Sequence, residues 1–382
     1  MTHKNIILLG ATGSIGASTL NLIRKKREKF NLIGVSTYEK TEQLKLISKE
    51  FNVKNVCFFK NDQGTIFDKS INVMKGLQGL LELASLNCDI VVSGISGLAG
   101  LMPAYMALNN GNHIAIANKE PLVVAGNILI ECSKKNNVKI LPVDSEHNSI
   151  FQCFDNNLRE NVSHITLTAS GGPFLNRSLN SFNEVTVKEA LNHPKWEMGK
   201  KISIDSATLI NKALEVIEAG FLFELKSNQI NVVIHPESII HGLVHYKDGS
   251  VLANLALPDM ISPLSVAIGY PERYNLDLPK LDLIEVSQLN FLKPDLKKFP
   301  GLNFGWHALN EPNYFSIVLN ASNEIAVDLF LKKRIKFTSI VEIIDKCLNE
   351  QKFNSAKNLE ETLEIDKISR IFAKKISEKF YV

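Results

Sequence analysis

Over the first 145 residues, short unbroken apolar runs alternate with longer amphipathic stretches. The runs "NIILL", "NLIGVST", "VKNVCFF", "DIVVSGI", "HIAIA" and "VKILPV" read as strands. Between them, "SIGASTLNLIRKKREKF" and "GLMPAYMALNNG" have helical spacing. Strands without polar alternation are buried on both faces, and strand–helix alternation predicts a parallel sheet covered by helices on either side. From residue 146 the pattern changes. "HITLTA" and "INVVIHP" read as strands, and "GLVHYKDGSVLANLA" as a hairpin turning at Asp248-Gly249. "SATLINKALEVIEAGFLF" reads as one long helix capped by Ser206. Residues 271–300 hold four prolines and little periodicity, as a linker would. The remainder, from 301 to 382, reads as helical.

These patterns predict an α/β chain: an N-terminal doubly wound domain over 1–145, an α+β domain over 146–270, a linker over 271–300 and a helical bundle over 301–382. With 382 residues the chain exceeds what one core usually holds. Charge adds little, because 43 Lys and Arg face 40 Asp and Glu, a net of +3. That balance argues against nucleic acid as a partner but leaves room for a local basic pocket. Five scattered cysteines without a CxxC spacing suit reduced thiols in a cytoplasmic protein. No apolar run is long enough to span a bilayer, and a strand starts so early that a leader peptide is not expected.

Several stretches carry candidate chemistry. "GATGSIG" sets Gly10, Gly13 and Gly16 between the first strand and the first helix, where backbone N–H groups can cradle a pyrophosphate. This makes the first domain Rossmann-like. The second strand ends in "STYEK", with hydroxyls at Ser36 and Thr37 and an ammonium at Lys40 that suit a 2′-phosphate, against Glu39. NADP is therefore favoured over NAD. "PVDSEHNSIF" puts Asp144 and Glu146 just past the sixth strand, on one side if that strand continues. On the predicted long helix, Asn211, Lys212 and Glu215 share a face. Three carboxylates without cysteine ligands suit Mg²⁺ or Mn²⁺, while a capping or salt-bridge cluster at a domain boundary accounts for them equally well. Ser170, Ser206, Asn211 and Lys212 together suit a phosphate. The loop 191–203, with His193, Trp196 and Met198, reads either as a mobile lid or as a loop packed on its own domain.

The motifs "GATGSIG", "ANKEPLV", "PVDSEHNSIFQ", "SGGPF", "HPKWEMG" and "DSATLINKALEVIEA" stand in the order seen in 1-deoxy-D-xylulose 5-phosphate reductoisomerases, and the chain resembles that family nearly end to end. The resemblance implies an NADPH- and divalent-metal-dependent rearrangement and reduction of 1-deoxy-D-xylulose 5-phosphate to 2-C-methyl-D-erythritol 4-phosphate. It implies Asp144, Glu146 and Glu215 as ligands of Mn²⁺ or Mg²⁺, with Co²⁺ a further candidate, and Lys119 beside the reacting centre. Substrate would meet Ser145, Ser170, His193, Trp196, Met198, Ser206, Asn211, Lys212 and Glu215. The cofactor would meet Gly10, Thr12, Gly13, Ser14, Ile15, Gly16, Asn118, Lys119, Glu120 and Gly199. A homodimer is implied as well. Two departures from the family pattern are "STYEK" and Pro121, whose missing N–H and restricted φ could displace Lys119.

Overall fold

A computed structural model describes residues 3–61, 63–196 and 198–382. The strands are β1 Lys4–Leu9, β2 Phe30–Thr37, β3 Asn55–Phe58, β4 Asn72–Lys75, β5 Ile90–Ser93, β6 His113–Ile116, β7 Ile140–Pro142, β8 Val162–Ala169, β9 Ile230–Ile234, β10 Ile240–Tyr246 and β11 Val251–Leu255. The helices are α1 Ser14–Lys25, α2 Thr41–Phe51, α3 Gly76–Ser85, α4 Leu101–Asn109, α5 Glu120–Lys135, α6 Ser145–Cys153, α7 Val187–Leu191, α8 Lys200–Ala207, α9 Ile210–Leu222, α10 Ile261–Gly269, α11 Leu283–Val286, α12 Asn303–Ala308, α13 Tyr314–Leu331, α14 Ser339–Glu350 and α15 Leu359–Ser377.

Two compact units result, where three domains and a linker were expected. The first takes residues 1–121, 129–148 and 259–280; the second takes 122–128, 149–258 and 281–382. The expected linker is divided between them. In the first unit its opening is tied down: Tyr274 meets Phe30 edge to face, and just before the linker the Lys4 ammonium donates to the carbonyls of Gly269 and Tyr270. In the second, Leu292 exchanges backbone hydrogen bonds with Ile234, adding a bridge beside β9. The helices of 301–382 fall in the same compact unit as the α+β segment.

The first unit holds a seven-stranded sheet in the order β4-β3-β2-β1-β5-β6-β7, with every pairing parallel. Six strands match the apolar runs. The seventh, β4, has the sequence "NVMK" and a single buried residue, Met74, so no apolar run announces it. In central β1, Ile7 and Leu9 pack with Leu80 and Leu83 of α3 and Ala107 of α4. Ile6 and Leu8 point to the opposite face and are as completely buried. The sheet is therefore covered on both sides, as its runs required.

The second unit has a four-stranded sheet in the order β11-β10-β8-β9. β10 and β11 form the expected hairpin, turning through Gly249 at φ +90°. The expected single helix is two. α8 ends at Ala207, Leu209 takes the left-handed conformation at φ 57°, and α9 starts at Ile210. The Thr208 hydroxyl satisfies the break: it donates to the Ile204 and Asp205 carbonyls and accepts the Ile210 N–H. Burial of the Leu209 side chain offsets the backbone cost. Ser206 thus lies inside α8 and is not the N-cap expected of it; Gly199 holds that position. The five cysteines form no disulfide. Among the described residues no helix is long and apolar enough to cross a membrane.

Candidate active site

In the first unit the candidate residues gather at the carboxyl edge of the sheet, where open α/β folds bind ligands. After β1 the chain turns at Gly10, with φ +81°. A side chain there would come within 2.6 Å of the Gly94 carbonyl oxygen, so only glycine fits. The turn is tied to the end of β2: the Gly10 N–H donates to Ser36 Oγ at 3.0 Å, the Ala11 N–H to the Ser36 carbonyl, and the hydroxyls of Thr12 and Thr37 lie 2.6 Å apart. Gly13 then caps α1 with backbone alone, and Gly13 and Ser14 are exposed, with Ile15 half-buried and Gly16 buried. N–H groups presented at the start of a twelve-residue helix suit a pyrophosphate.

The exits of β5 and β6 are linked by Asn118, whose amide donates to the Gly97 carbonyl and whose oxygen faces Ser93 Oγ. Lys119 follows, then Glu120 as the first residue of α5; both are buried. Pro121 falls in the first turn of α5, where an N–H would have no helical acceptor, and Lys119 keeps ordinary right-handed backbone angles. The proline fits there without displacing the lysine. Beside β6 lies β7, which ends at Pro142. The chain does not continue extended, yet a carboxylate oxygen of Asp144 and one of Glu146 still lie within 4.8 Å of each other. Ser145 opens α6, and Glu146 sits in its first turn, with Ser145 Oγ donating to its carboxylate.

Asp144 accepts from the Lys119 ammonium at 2.7 Å. The His147 imidazole, fully buried, faces its other oxygen. Burial opposes ionisation of Asp144. The Lys119 charge and then the His147 contact outweigh it and hold the carboxyl well below the usual range. The first unit therefore presents an ionised, half-buried carboxylate with a second half-buried one two residues on.

In the second unit, α9 carries the other candidates. Glu215 is 1% exposed and Lys212 is 3% exposed, and their side chains form an ion pair one turn apart. Asn211 donates to the other Glu215 oxygen. Lys212 is no solvated surface charge. Ser170 lies just beyond β8, its hydroxyl 3.0 Å from His193 Nε2 and accepting the Gly172 N–H. Gly172, at φ +65°, lies so close to α8 that a side chain would come within 2.8 Å of the Ser206 carbonyl. The "SGG" turn is thereby seated on the helix that carries Ser206.

In the loop, Trp196 is half-buried with its ring 6.3 Å from that of His241, and Met198 is half-buried. Glu197 of the expected lid lies outside the described residues. Two further groups carry no signal of their own at the level of sequence. His241 is on β10 at the Trp196 ring. Asp205, beside Ser206, is buried between the Lys201 ammonium at 2.8 Å and the Asn323 amide at 2.9 Å. The hint for Asp205 lies 118 residues away, in the polar stretch "NASNE" of otherwise apolar α13.

A doubly wound parallel sheet with this glycine turn, and carboxylates largely withdrawn from solvent in both units, are the pattern of a dinucleotide-dependent enzyme. Comparison with known proteins narrows that class. Residues 6–126 match the 1-deoxy-D-xylulose 5-phosphate reductoisomerase family model, and residues 140–223 and 255–372 match models of its two C-terminal domains. A 1-deoxy-D-xylulose 5-phosphate reductoisomerase of Clostridium tetani is 46% identical over 96% of this chain and 97% of its own. One of Thermoanaerobacter pseudethanolicus is 44% identical over 99% of each. The solved reductoisomerase of Zymomonas mobilis in complex with NADPH superposes with a TM-score of 0.92 at 36% identity, covering 99% of this chain and all of that one. A DOX-P reductoisomerase with NADPH, fosmidomycin and magnesium also gives 0.92, at 40% identity and 98% coverage of both. The chain belongs to the 1-deoxy-D-xylulose 5-phosphate reductoisomerase family.

Proposed function

We infer that this chain is an NADPH- and divalent-metal-dependent enzyme that rearranges 1-deoxy-D-xylulose 5-phosphate and reduces the product to 2-C-methyl-D-erythritol 4-phosphate, in non-mevalonate isoprenoid-precursor synthesis. The observation that carries this reading is the 46% identity over 96% of the chain to a relative named for that activity. The donor set fits the groups required. Carboxylates suit a hard cation, and the open start of α1 suits a dinucleotide pyrophosphate. Bound NADPH supplies hydride, and the metal, Mg²⁺ or Mn²⁺ with Co²⁺ as a third candidate, supplies a Lewis acid.

Asp144, Glu146 and Glu215 are the proposed metal ligands. Lys119 keeps Asp144 ionised, so that it is ready as a ligand without losing a proton first. Ser145 contacts substrate. Ser170, His193, Ser206, Asn211 and Lys212 hold the phosphate: hydroxyl, imidazole and amide donors with one ammonium, the charge pattern an oxyanion needs. Trp196 and Met198 cover the substrate and exclude water. Gly10, Thr12, Gly13, Ser14, Ile15 and Gly16 hold the dinucleotide, with Asn118, Lys119, Glu120 and Gly199 toward its reacting end. A cytoplasmic homodimer is part of the same reading.

The test is NADPH oxidation, followed by absorbance, with 1-deoxy-D-xylulose 5-phosphate and Mn²⁺. We expect oxidation that stops with excess EDTA and resumes when Mn²⁺ is restored. Oxidation indifferent to EDTA would overturn the metal assignment. No oxidation despite NADPH binding would overturn the substrate.

A further inference from the structure

NAD sites of this fold commonly place a carboxylate at the end of the second strand to bind the ribose 2′-hydroxyl, and NADP sites place a cation nearby for the 2′-phosphate. Here β2 ends in Ser36 and Thr37, and neither faces outward. They are 3% and 4% exposed. Their hydroxyls are engaged with Gly10 and Thr12, so they hold the glycine turn and are not the phosphate ligands that the sequence suggested.

The groups that do face outward lie one step further along. Tyr38 is 58% exposed, and its ring stacks on Phe59, which is 40% exposed, at 5.6 Å and 27°. The Tyr38 carbonyl accepts the N–H groups of both Phe59 and Lys60, at 3.0 and 2.9 Å, which joins the exit of β3 to the exit of β2. The Lys60 ammonium sits 5.4 Å from the centre of the Tyr38 ring. Lys40, exposed, stands at the cap of α2, two residues past Tyr38. Of the nearby acids, Glu42 accepts from the Thr65 hydroxyl, and Glu39 is exposed. Core packing does not explain two exposed, stacked rings with a cation laid across them. A cation held over an exposed ring is only weakly held, at about 0.5–1 kcal/mol, so it remains free to pair with a dianion.

We propose that Lys60, parked on the Tyr38 ring and joined by Lys40, receives the 2′-phosphate of NADPH, so that the choice of NADPH over NADH is made from the exit of β3. Phe59 fixes the ring, and Tyr38 acts as a positioning residue for the ammonium. This rests on the NADPH reading above.

The experiment is fluorescence titration of the full-length protein with NADPH and, separately, NADH. Lys60→Ala should weaken NADPH binding about tenfold, the scale of one exposed charge-assisted contact, and leave the NADH Kd unchanged. Lys60→Arg should keep most of the preference. Tyr38→Leu should weaken NADPH a few-fold with NADH unaltered, because only the placement of the ammonium is lost. An unchanged NADPH Kd in Lys60→Ala would overturn the assignment of Lys60. Equal losses for both dinucleotides in Tyr38→Leu would overturn the positioning role. Wild-type protein that binds neither dinucleotide would overturn this inference together with the cofactor reading; NADPH binding that ignores Lys60 would overturn the inference alone.

Discussion

Each unit holds a lysine–carboxylate pair largely withdrawn from solvent, and the two pairs are built in different ways. In the first unit, Lys119 and Asp144 are 25 residues apart in the chain and meet because β6 and β7 are neighbours in the sheet. In the second unit, Lys212 and Glu215 are three residues apart on one helix and meet because of helical pitch alone. The first pair depends on topology and the second on spacing. A buried pair of either kind costs desolvation, and removing one partner typically costs about 3–5 kcal/mol, because the other charge is left uncompensated. Such pairs persist where the charges have another use, which here is the proposed binding of metal and phosphate.

The largest effect should come from the helical pair. Glu215→Gln keeps the shape and a hydrogen-bond acceptor but removes the charge. We expect turnover with saturating Mg²⁺ to fall by at least about a hundredfold, since the proposed metal ligand and the counter-charge of Lys212 are lost together. A melting curve separates this from unfolding. If the variant turned over at the parent rate, Glu215 would be only the structural partner of Lys212, and the two pairs would not share a function.

The same contrast explains what was legible in the sequence. The face shared by Asn211, Lys212 and Glu215 could be read from spacing, and the glycine turn from its place between a strand and a helix. The Lys119–Asp144 contact could not, because it needs the strand order. Nor could the orientation of Ser36 and Thr37, which depends on the loop they support. The long helix was misread at Leu209: the break is stabilised by a threonine hydroxyl and a buried leucine, neither of which is a helix stop in sequence. β4 was missed because an edge strand with one buried residue carries no apolar signature. Asp205 escaped notice because its partner Asn323 is on α13. Apart from the local break at Leu209, positions fixed by short-range geometry were recovered, and positions fixed by tertiary contact were not.

A smaller effect separates the members of the helical pair. Lys212→Ala should raise KM for 1-deoxy-D-xylulose 5-phosphate about tenfold or more, the loss of one buried charge-assisted contact to phosphate. NADPH affinity, measured without substrate, should stay the same. If KM were unaltered, the phosphate would be held elsewhere and Lys212 would serve Glu215 alone.

The smallest effect tests whether short-range geometry also governs the approach to the loop. α7 precedes it and is capped by Thr186 and Glu189, three residues apart. The Thr186 N–H, then its hydroxyl, then the Arg177 guanidinium stabilise the ionised carboxylate, and the Glu189 pKa is pulled down to about 2. An unfolded glutamate titrates near 4.3. The folded pKa is the lower one, so the stabilisation is complete above the unfolded value and is lost as pH falls through the interval toward 2. Glu189→Gln should therefore melt slightly below the parent, by a constant margin between pH 5 and 7, and the margin should narrow as pH is lowered from about 4.3. Thermal melts of both proteins across that range decide it. A margin that stays the same down to pH 3 would mean the cap is not carried by the charge of Glu189, and that the base of the loop is held by longer-range contacts, as Lys119 and Asp144 are.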